Sequence, residues 1–421
     1  MAGNRFSNTP VPTAPTRLLM HKPDLSDPPS LLHLRTLVRV ADYGTLASAA
    51  KKMLRAASVV HDGIRELERQ LGVRLIERTP DKFTLTVEGR CVLIRARRIL
   101  AELAVLPAML DQPPVTVHEQ LYLLNVRRLS AFVELCRLKN MGRVAKAMDI
   151  SQPAVSSMVK ALEAGTNKVL FERRSRGVHP TDIALAILPA IRRALNELTH
   201  IQPDLAALAG EVRGMVRIGA LPLSRTRIVP EAIADLLAQH PHVQVKTSEG
   251  SFEQLQSDLR SGDLDFVLGA LRLGGSNDLV SETLIEENLI VLVRSGHPFI
   301  GHSSNLESLI DQQWIMPRAM SPARLLIDRC FREVGLPVPT PAVESGDMAI
   351  IRGLLARTDM LAIVSSHQFE TDIASGEVVA LNVRLEQTRR AIGLMTRRQC
   401  LHTPPAAALI ASIRAVAAKI P

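Results

Sequence analysis

The chain has 421 residues with 51 Lys and Arg against 42 Asp and Glu, so its formal net charge is +9. The length predicts two or three domains, and a hydrophobic content of 46% is ordinary for proteins with buried cores. Aromatic residues make up only 3%, which argues against a stacking platform for single-stranded nucleic acid, and no apolar run approaches the ~18 residues of a membrane span.

Charge is unevenly distributed along the chain. Residues 31–104 carry 14 basic and 8 acidic residues (+6), residues 125–200 carry 13 and 6 (+7), and residues 201–421 carry 21 and 24 (−3). This asymmetry predicts a polyanion-binding front joined to a separate globular rear.

The N-terminal segment, residues 1–29, is rich in Pro and is predicted to be a disordered tail. It lacks the features of a signal peptide, so we expect a cytoplasmic protein. The four Cys residues have no metal-ligand spacing and the His residues are scattered, so we expect neither a metal site nor a cofactor.

An internal repeat follows. A shift of 95 residues places Leu67-Glu68 on Leu162-Glu163, Glu77-Arg78 on Glu172-Arg173 and Arg97-Arg98 on Arg192-Arg193, without a gap over about 70 residues. The repeat predicts a duplicated domain. Its boundaries are expected at residues 30–105 for the first copy, 106–124 for a linker and 125–210 for the second copy with a long linker helix.

The first copy has an unusual third helix. That helix opens with Ala56-Ala57-Ser58-Val59-Val60-His61, and Asp62 places an acid where a polyanion would lie, although Arg65 would attract one. Two interpretations stay open for this copy. It contacts a polyanion, or it serves mainly as a dimerisation or packing module.

The second copy predicts a helix-turn-helix. Ser151 is a suitable N-cap and Pro153 suits the first turn of the third helix. Small polar outward residues on such a helix can read base edges in a major groove, and basic residues near a following wing can hold phosphates. The predicted contacts are Ser151, Gln152, Pro153, Ser156, Ser157, Lys160, Arg173, Arg174 and Arg176.

These residues resemble a known family. The run from Ser151 to Ser156, then Leu162-Glu163 and Leu170-Phe171-Glu172-Arg173, is similar to the N-terminal domain of LysR-type transcriptional regulators. In the first copy the run from Leu67 to Arg78 matches the same pattern. The resemblance implies a winged helix-turn-helix with a dimerising linker helix. Ala164-Gly165-Thr166-Asn167 and Ala184 depart from the family pattern, which bears on the wing geometry.

From residue 211 to 421 strands and helices alternate, which predicts an α/β fold. The stretches 214–220, 262–265 and 291–298 resemble the effector domain of the same family, which is two-lobed like type 2 periplasmic binding proteins. Gly219-Ala220-Leu221-Pro222 is similar to the branch that includes the galactose-binding-protein regulator. The predicted fold class is therefore mixed, with two mainly α winged helix-turn-helix domains followed by a two-lobed α/β effector domain.

Ligands of open α/β folds sit beyond the carboxyl ends of strands, near helix N-termini. The residues expected at those positions, which would suit a small anion or polar metabolite, are Leu223, Ser224, Arg272, Ser321, Ser345 and Gly346.

Together these features predict a DNA-binding transcriptional regulator whose activity is modulated by a small-molecule effector. The expected partners are double-stranded DNA, the effector, further copies of the chain as a dimer or tetramer, and RNA polymerase, with no membrane. The alternatives are a ligand-independent architectural DNA-binding protein and an enzyme that uses the α/β domain. Because no H-E-x-x-H helix, phosphate loop or G-x-S-x-G elbow occurs, we expect no enzymatic activity.

Overall fold

Two successive units in the front half share one order of elements. The computed structural model describes residues 28–78, 83–112, 120–175, 177–272, 277–302, 305–386 and 388–420, so the predicted tail lies outside the described residues apart from 28 and 29. The first unit contains α1 (Leu31–Tyr43), α2 (Leu46–Met53), α3 (Ala57–Leu71), β1 (Ile76–Arg78), β2 (Phe83–Leu85), α4 (Val87–Ala104) and α5 (Leu106–Met109).

The second unit repeats this plan at the 95-residue offset. Its elements are α6 (Val126–Leu138), α7 (Met141–Ala147), α8 (Gln152–Thr166), β3 (Phe171–Arg174), β4 (Gly177–Pro180), α9 (Asp182–Thr199) and α10 (Ile201–Leu208). Both ends of α3 and α8, and both ends of α4 and α9, differ by 95. The predicted linker is partly structured, because α5 and a 3₁₀ turn at Leu121–Leu123 lie within it.

Equivalent residues make equivalent hydrogen bonds in the two units. The carboxylate of Glu68 accepts the backbone N–H of Leu75 at 2.8 Å, and the carboxylate of Glu163 accepts that of Leu170 at 2.9 Å. Each bond ties the third helix of its unit to the start of the hairpin. The duplication therefore preserves the internal construction of the domain as well as the order of its elements.

The departure at residues 164–167 leaves the turn geometry intact. Gly72 ends α3 in the left-handed region with φ 70°, and Asn167 ends α8 in the same region with φ 51°. Asn is one of the few non-glycine residues that adopt this conformation readily.

The wing strand begins later than its sequence indicated. The run Val169-Leu170-Phe171 predicts a strand over 169–171 followed by a basic turn with Arg173, Arg174 and Arg176, but β3 begins at Phe171 and includes Arg173 and Arg174. The expected start is wrong because the Glu163 carboxylate accepts the backbone N–H of Leu170 at 2.9 Å, just before the first residue of β3.

The rear half contains the remaining strands and helices. The strands are β5 (Gly214–Ala220), β6 (Val243–Ser248), β7 (Phe266–Ala270), β8 (Leu279–Glu287), β9 (Leu289–Arg294), β10 (Trp314–Met316), β11 (Val343–Glu344), β12 (Leu361–Ser365), β13 (Val378–Ala380) and β14 (Arg390–Arg397). The helices are α11 (Ile228–Gln239), α12 (Phe252–Ser261), α13 (Pro322–Glu333), α14 (Met348–Leu355), α15 (Glu370–Ala374) and α16 (Pro404–Ala417).

These strands form two five-stranded sheets, one in each lobe. The first has the order β6-β5-β7-β14-β8 and the second the order β11-β10-β12-β9-β13. The chain crosses between lobes from β8 to β9 and returns from β13 to β14, so two crossovers form the hinge. Each lobe has its own buried core, as the predicted two-lobed fold requires.

The alternation predicted for the rear half is visible in sequence at some strands and hidden at one. The apolar runs Leu289–Arg294 and Trp314–Met316 predict strands and form β9 and β10, whereas the nine-residue β8 has no regular alternation of burial by which the sequence would predict it. The segment Thr340–Glu344 also predicts a strand, and that prediction is wrong in extent: β11 holds only Val343 and Glu344, since Pro341 has no N–H to give to a ladder. Among the described residues, no helix has both the length and the apolar character that crossing a membrane requires.

Gly89 generates a stability prediction. A Cβ atom there would lie 2.1 Å from the carbonyl oxygen of Leu75, so Gly89→Ala forces α4 away from the hairpin and should destabilise the protein by about 1–3 kcal/mol in urea unfolding. Gly63→Ala is the matched control in a helix of the same unit, because its Cβ would meet nothing closer than 3.6 Å. Unfolding midpoints that respond equally to the two substitutions would contradict the packing described here.

Candidate DNA interface and effector cleft

The exposed face of α8 is fixed by its packing. Val155, Val159 and Leu162 are buried, which turns the opposite side of the helix to solvent. The hydroxyl of Ser151 accepts the backbone N–H of Ala154 at 3.3 Å and caps the helix. The helix is therefore anchored at its start, and the polar face is held by the core beneath it.

The structure brings most of the predicted α8 contacts onto one surface. Gln152, Pro153, Ser157 and Lys160 are exposed, whereas Ser156 is half-buried and offers only part of its side chain. Amide and hydroxyl groups at the N-terminal end of such a helix can hydrogen-bond base edges, and the ammonium group of a Lys can pair with a phosphate.

The wing is attached to the end of the first helix of its unit. The backbone N–H of Val178 donates to the carbonyl of Lys139 at 2.9 Å, and Gly177 has φ 120°, which favours glycine. Arg173 and Arg174 are exposed on β3, and Arg174 pairs with Glu172 at 3.1 Å. The predicted contact Arg176 lies outside the described residues.

The first unit presents a different face at the same place. Ala56 supplies no side-chain cap to α3, and Val59 leaves 54% of its surface exposed. Asp62 is exposed, and its Oδ1 lies 3.5 Å from Nδ1 of His61. Arg65 is exposed at the position equivalent to Lys160. The two units thus share a scaffold but offer different chemistry.

In the first lobe of the rear half, two predicted effector residues are internal. Leu223 is buried, and Ser224 is fully buried with its hydroxyl 2.9 Å from the carbonyl oxygen of Leu221 and 3.1 Å from that of Leu268. The Ser224 hydroxyl therefore donates to backbone carbonyl oxygens of its own lobe. Its expected role as an effector ligand stays a prediction, and in this conformation the hydroxyl bonds within the lobe.

The second lobe carries three of the predicted residues, Ser321, Ser345 and Gly346, and Ser345 is largely buried. The hydroxyl of Ser321 accepts the N–H of Arg324 at 3.2 Å, which caps α13, and that of Ser345 accepts the N–H of Asp347 at 3.1 Å. Gly346 is exposed, and no atom lies within 4 Å of where its Cβ would be, so the space in front of it is open.

Two contacts that the sequence did not reveal join the lobes. Arg227 at the start of α11 forms an ion pair with Glu370 on α15, and the side-chain amide of Gln368 donates to the carbonyl of Pro222 at 3.3 Å. Arg272 instead contacts its own lobe, pairing with Glu253 at 2.5 Å and lying 4.0 Å from the ring centre of Phe252.

A buried ionic cluster lies at the crossovers between the lobes. Arg390 pairs with the buried carboxylate of Glu287 at 2.8 Å, and the fully buried hydroxyl of Ser365 donates to the same carboxylate. Burial lowers the pKa of Arg390 from its usual value, but the ion pair with Glu287 opposes that shift. Such a cluster fixes the hinge geometry, because a buried charge left without its partner is strongly destabilising.

A second buried cluster joins the front half to the rear half. The guanidinium of Arg95 on α4 has no exposed surface and donates to Glu197 at 2.7 Å, to Asp204 at 2.6 Å and to the carbonyl of Leu401 at 2.9 Å. Burial and the nearby arginines lower the pKa of the neighbouring His200 to about 3, so its ring is neutral at physiological pH.

Comparison with protein families gives matches in both front units and over the rear half. Residues 31–90 and 126–185 each match the bacterial regulatory helix-turn-helix protein of the lysR family, and residues 209–418 match the LysR substrate binding domain. The two separate helix-turn-helix matches confirm the duplication.

Individual relatives agree with these matches. The HTH-type transcriptional regulator GalR of Pseudomonas putida is 49% identical over 389 residues, covering 92% of this chain and 97% of that protein. The HTH-type transcriptional regulator PcaQ of Agrobacterium fabrum is 30% identical over 304 residues, covering 70% and 96%. A full-length OxyR variant from Pseudomonas aeruginosa shares the fold, with a TM-score of 0.55 and 22% identity over 70% of this chain and 95% of that one.

Lys160 generates a prediction about salt dependence. If its ammonium group meets a phosphate, Lys160→Ala should reduce the slope of log affinity against log salt by about 0.9 in DNA titrations. Lys168→Ala is the matched control, because Lys168 is paired with Asp111 at 3.2 Å. Equal slopes for wild type and Lys160→Ala would remove Lys160 from the interface.

Proposed function

Because the chain belongs to the LysR family of transcriptional regulators, we propose that it reads duplex DNA with α8 and the β3–β4 wing, under the control of an effector between its rear lobes. The protein is a DNA-binding regulator with an effector-binding domain and is not an enzyme. What is proposed is the assignment of these activities to particular residues.

The observation that carries the DNA assignment is the exposed polar start of α8 above a buried core. Gln152 can form two hydrogen bonds with an adenine edge, and Ser157 can bond to several bases. Lys160, Arg173 and Arg174 supply cations for the backbone, which positions the helix without reading sequence. Ser151 acts by capping α8, and Pro153 by fixing the first turn.

The effector is proposed to be a small anionic or polar metabolite held mainly by the second lobe. Ser321 lies at the N-terminal end of α13, where backbone N–H groups favour negative charge. The N-terminal end of α14, two residues after Ser345, is already capped by the carboxylate of Asp347. Ser345 is largely buried, and the open space before its neighbour Gly346 admits a ligand. Arg272, on the first lobe, is assigned a supporting role because Glu253 already holds it.

A series of buried contacts connects the effector site of the rear lobes with the winged helices of the front half. The hinge cluster around Glu287 lies at the junction of the lobes, and Arg95 joins the first lobe to the front helices through Leu401. An effector that changes the angle between the lobes has a structural path to the winged helices. It can act only if it binds one arrangement more tightly than the other.

We further propose that the protein works in the cytoplasm, assembles into homo-oligomers and contacts RNA polymerase at its target promoters. The first unit's basic charge and its pairing with the second unit support a role near the DNA. A ligand-independent architectural protein remains the competing function, and the effector experiment below distinguishes the two.

Base reading is tested with Gln152→Ala. Wild-type protein should select a defined sequence from a pool of random duplexes, and the variant should lose about 1–3 kcal/mol of discrimination at one base position. Gln244→Ala, an exposed glutamine on β6, is the matched control and should leave the selected sequence unchanged. An unaltered preference in Gln152→Ala would contradict the assignment of α8.

Effector binding is tested by thermal shift against single carboxylates, phosphates and sugars. A compound present at 100 times its Kd should stabilise the wild type by about 2.7 kcal/mol, and Ser345→Ala should weaken that response. Ser375→Ala is the control, since its exposed hydroxyl donates to the carbonyl of Asp372. Compounds that stabilise Ser345→Ala and wild type equally would exclude Ser345, and a panel without any response would favour the architectural function.

A further inference from the structure

The long helices of the two units pack against each other inside one chain. α4 contributes Val92, Ala96 and Ile99, and α9 contributes Ile187 and Ile191, all buried in one continuous core. The shared core packs α4 directly against α9. The first unit is therefore the packing partner of the second.

Ion pairs across α4 and α9 are reciprocal. Arg98 pairs with Glu197 at 2.8 Å, and Arg193 pairs with Glu102 at 2.9 Å. At the 95-residue offset Arg193 is the equivalent of Arg98, and Glu197 is the equivalent of Glu102. Reciprocal contacts of this kind mark a two-fold axis between identical subunits. Here the axis relates two halves of one polypeptide.

The buried charges also favour a pair of α4 with α9 over a pair of two α9 helices. Arg95 provides the buried cation for Glu197 and Asp204, whereas its equivalent in the second unit is Ala190. A pair made from two α9 helices would place Ala190 where Arg95 stands and leave the carboxylates of Glu197 and Asp204 without it. Removing one partner from a buried ionic group is strongly destabilising, so α9 favours α4 over a second α9.

The tether between the units reinforces this choice. Only the seven residues 113–119 lie between the described parts of the two units, so the connecting segment is short. Two surfaces linked by a short segment meet at an effective concentration in the millimolar range. Pairing within one chain therefore has an advantage over the equivalent contact between chains.

We propose that a single chain forms a complete two-headed DNA-binding unit, in which α4–α9 pairing replaces the contact between two subunits and α3 and α8 take unlike half-sites on one duplex. This inference rests on the proposed function of α8. A two-fold relation presents paired helix-turn-helix units to successive turns of the major groove.

The two heads have different reading chemistry. α8 offers Gln152 and Ser157, which form hydrogen bonds to base edges. α3 offers exposed Val59, which suits a thymine methyl group, and Asp62, which can accept from a cytosine amino group. Arg65 supplies a cation where α8 has Lys160. The operator should accordingly have two halves of different sequence.

Melting of charge-exchanged full-length chains distinguishes pairing within a chain from pairing between chains. Glu102→Arg and Arg193→Glu each place like charges together and should lower the melting midpoint by about 2–4 °C. Both substitutions in one chain should restore most of that loss, and a co-refolded mixture of the two single variants should restore none. Arg97→Glu, which faces Asp42 on the surface, is the control and should shift the midpoint less.

Restoration in the mixture would overturn the proposal, because it requires the introduced arginine of one chain to meet the introduced glutamate of another. This readout does not involve DNA, so it can fail or succeed independently of the proposed function.

A second experiment uses hydroxyl-radical footprints on a duplex selected by wild-type protein. Arg65→Ala should lose protection in one half-site only, while Arg69→Ala, whose guanidinium is held by Glu66, should match wild type. An unchanged Arg65→Ala footprint would also overturn the proposal.

Discussion

The buried guanidinium of Arg95 holds together three parts of the chain. It binds carboxylates on α9 and α10 and a carbonyl of the rear domain, with no surface exposed to solvent. Its charge can remain there only while all of these groups stay in place. The pairing of the winged helices and their orientation on the effector domain therefore depend on one another, and a change in one is expected to strain the other.

Duplication gives the family fold a different way to form a dimer. An ordinary subunit interface must assemble at the concentration of the protein, whereas tethered halves meet within the chain. Tethering also allows the halves to diverge, since each is encoded separately. The sequence records this divergence: the framework residues Glu68 and Glu163 are the same and make the same bonds, whereas the exposed faces of α3 and α8 differ. A shared framework with an altered reading surface is what an asymmetric operator requires.

Much of the fold could be predicted from the sequence because local signals agreed with it. Ser151 as an N-cap and Pro153 in the first turn predicted where α8 begins, and the 95-residue repeat predicted the duplicated domain. The start of the wing strand was misplaced because a side chain, Glu163, accepts the backbone N–H of Leu170 just before it, and β8 was missed because its burial is irregular. In the effector cleft a serine near a strand end looks the same in sequence whether it faces a ligand or, like Ser224, the core. The Arg95 cluster joins residues more than 300 positions apart, which no local pattern reveals.

The central claim is that one chain reads an operator with two unlike heads. It is tested most directly by sequencing the duplexes that the full-length wild-type protein selects from a random pool, and by aligning them over both half-sites. The account predicts two different motifs, with centres about 10 base pairs apart or a multiple of that spacing, in a fixed order. A palindrome with two identical half-sites would contradict it, because identical halves require identical recognition helices.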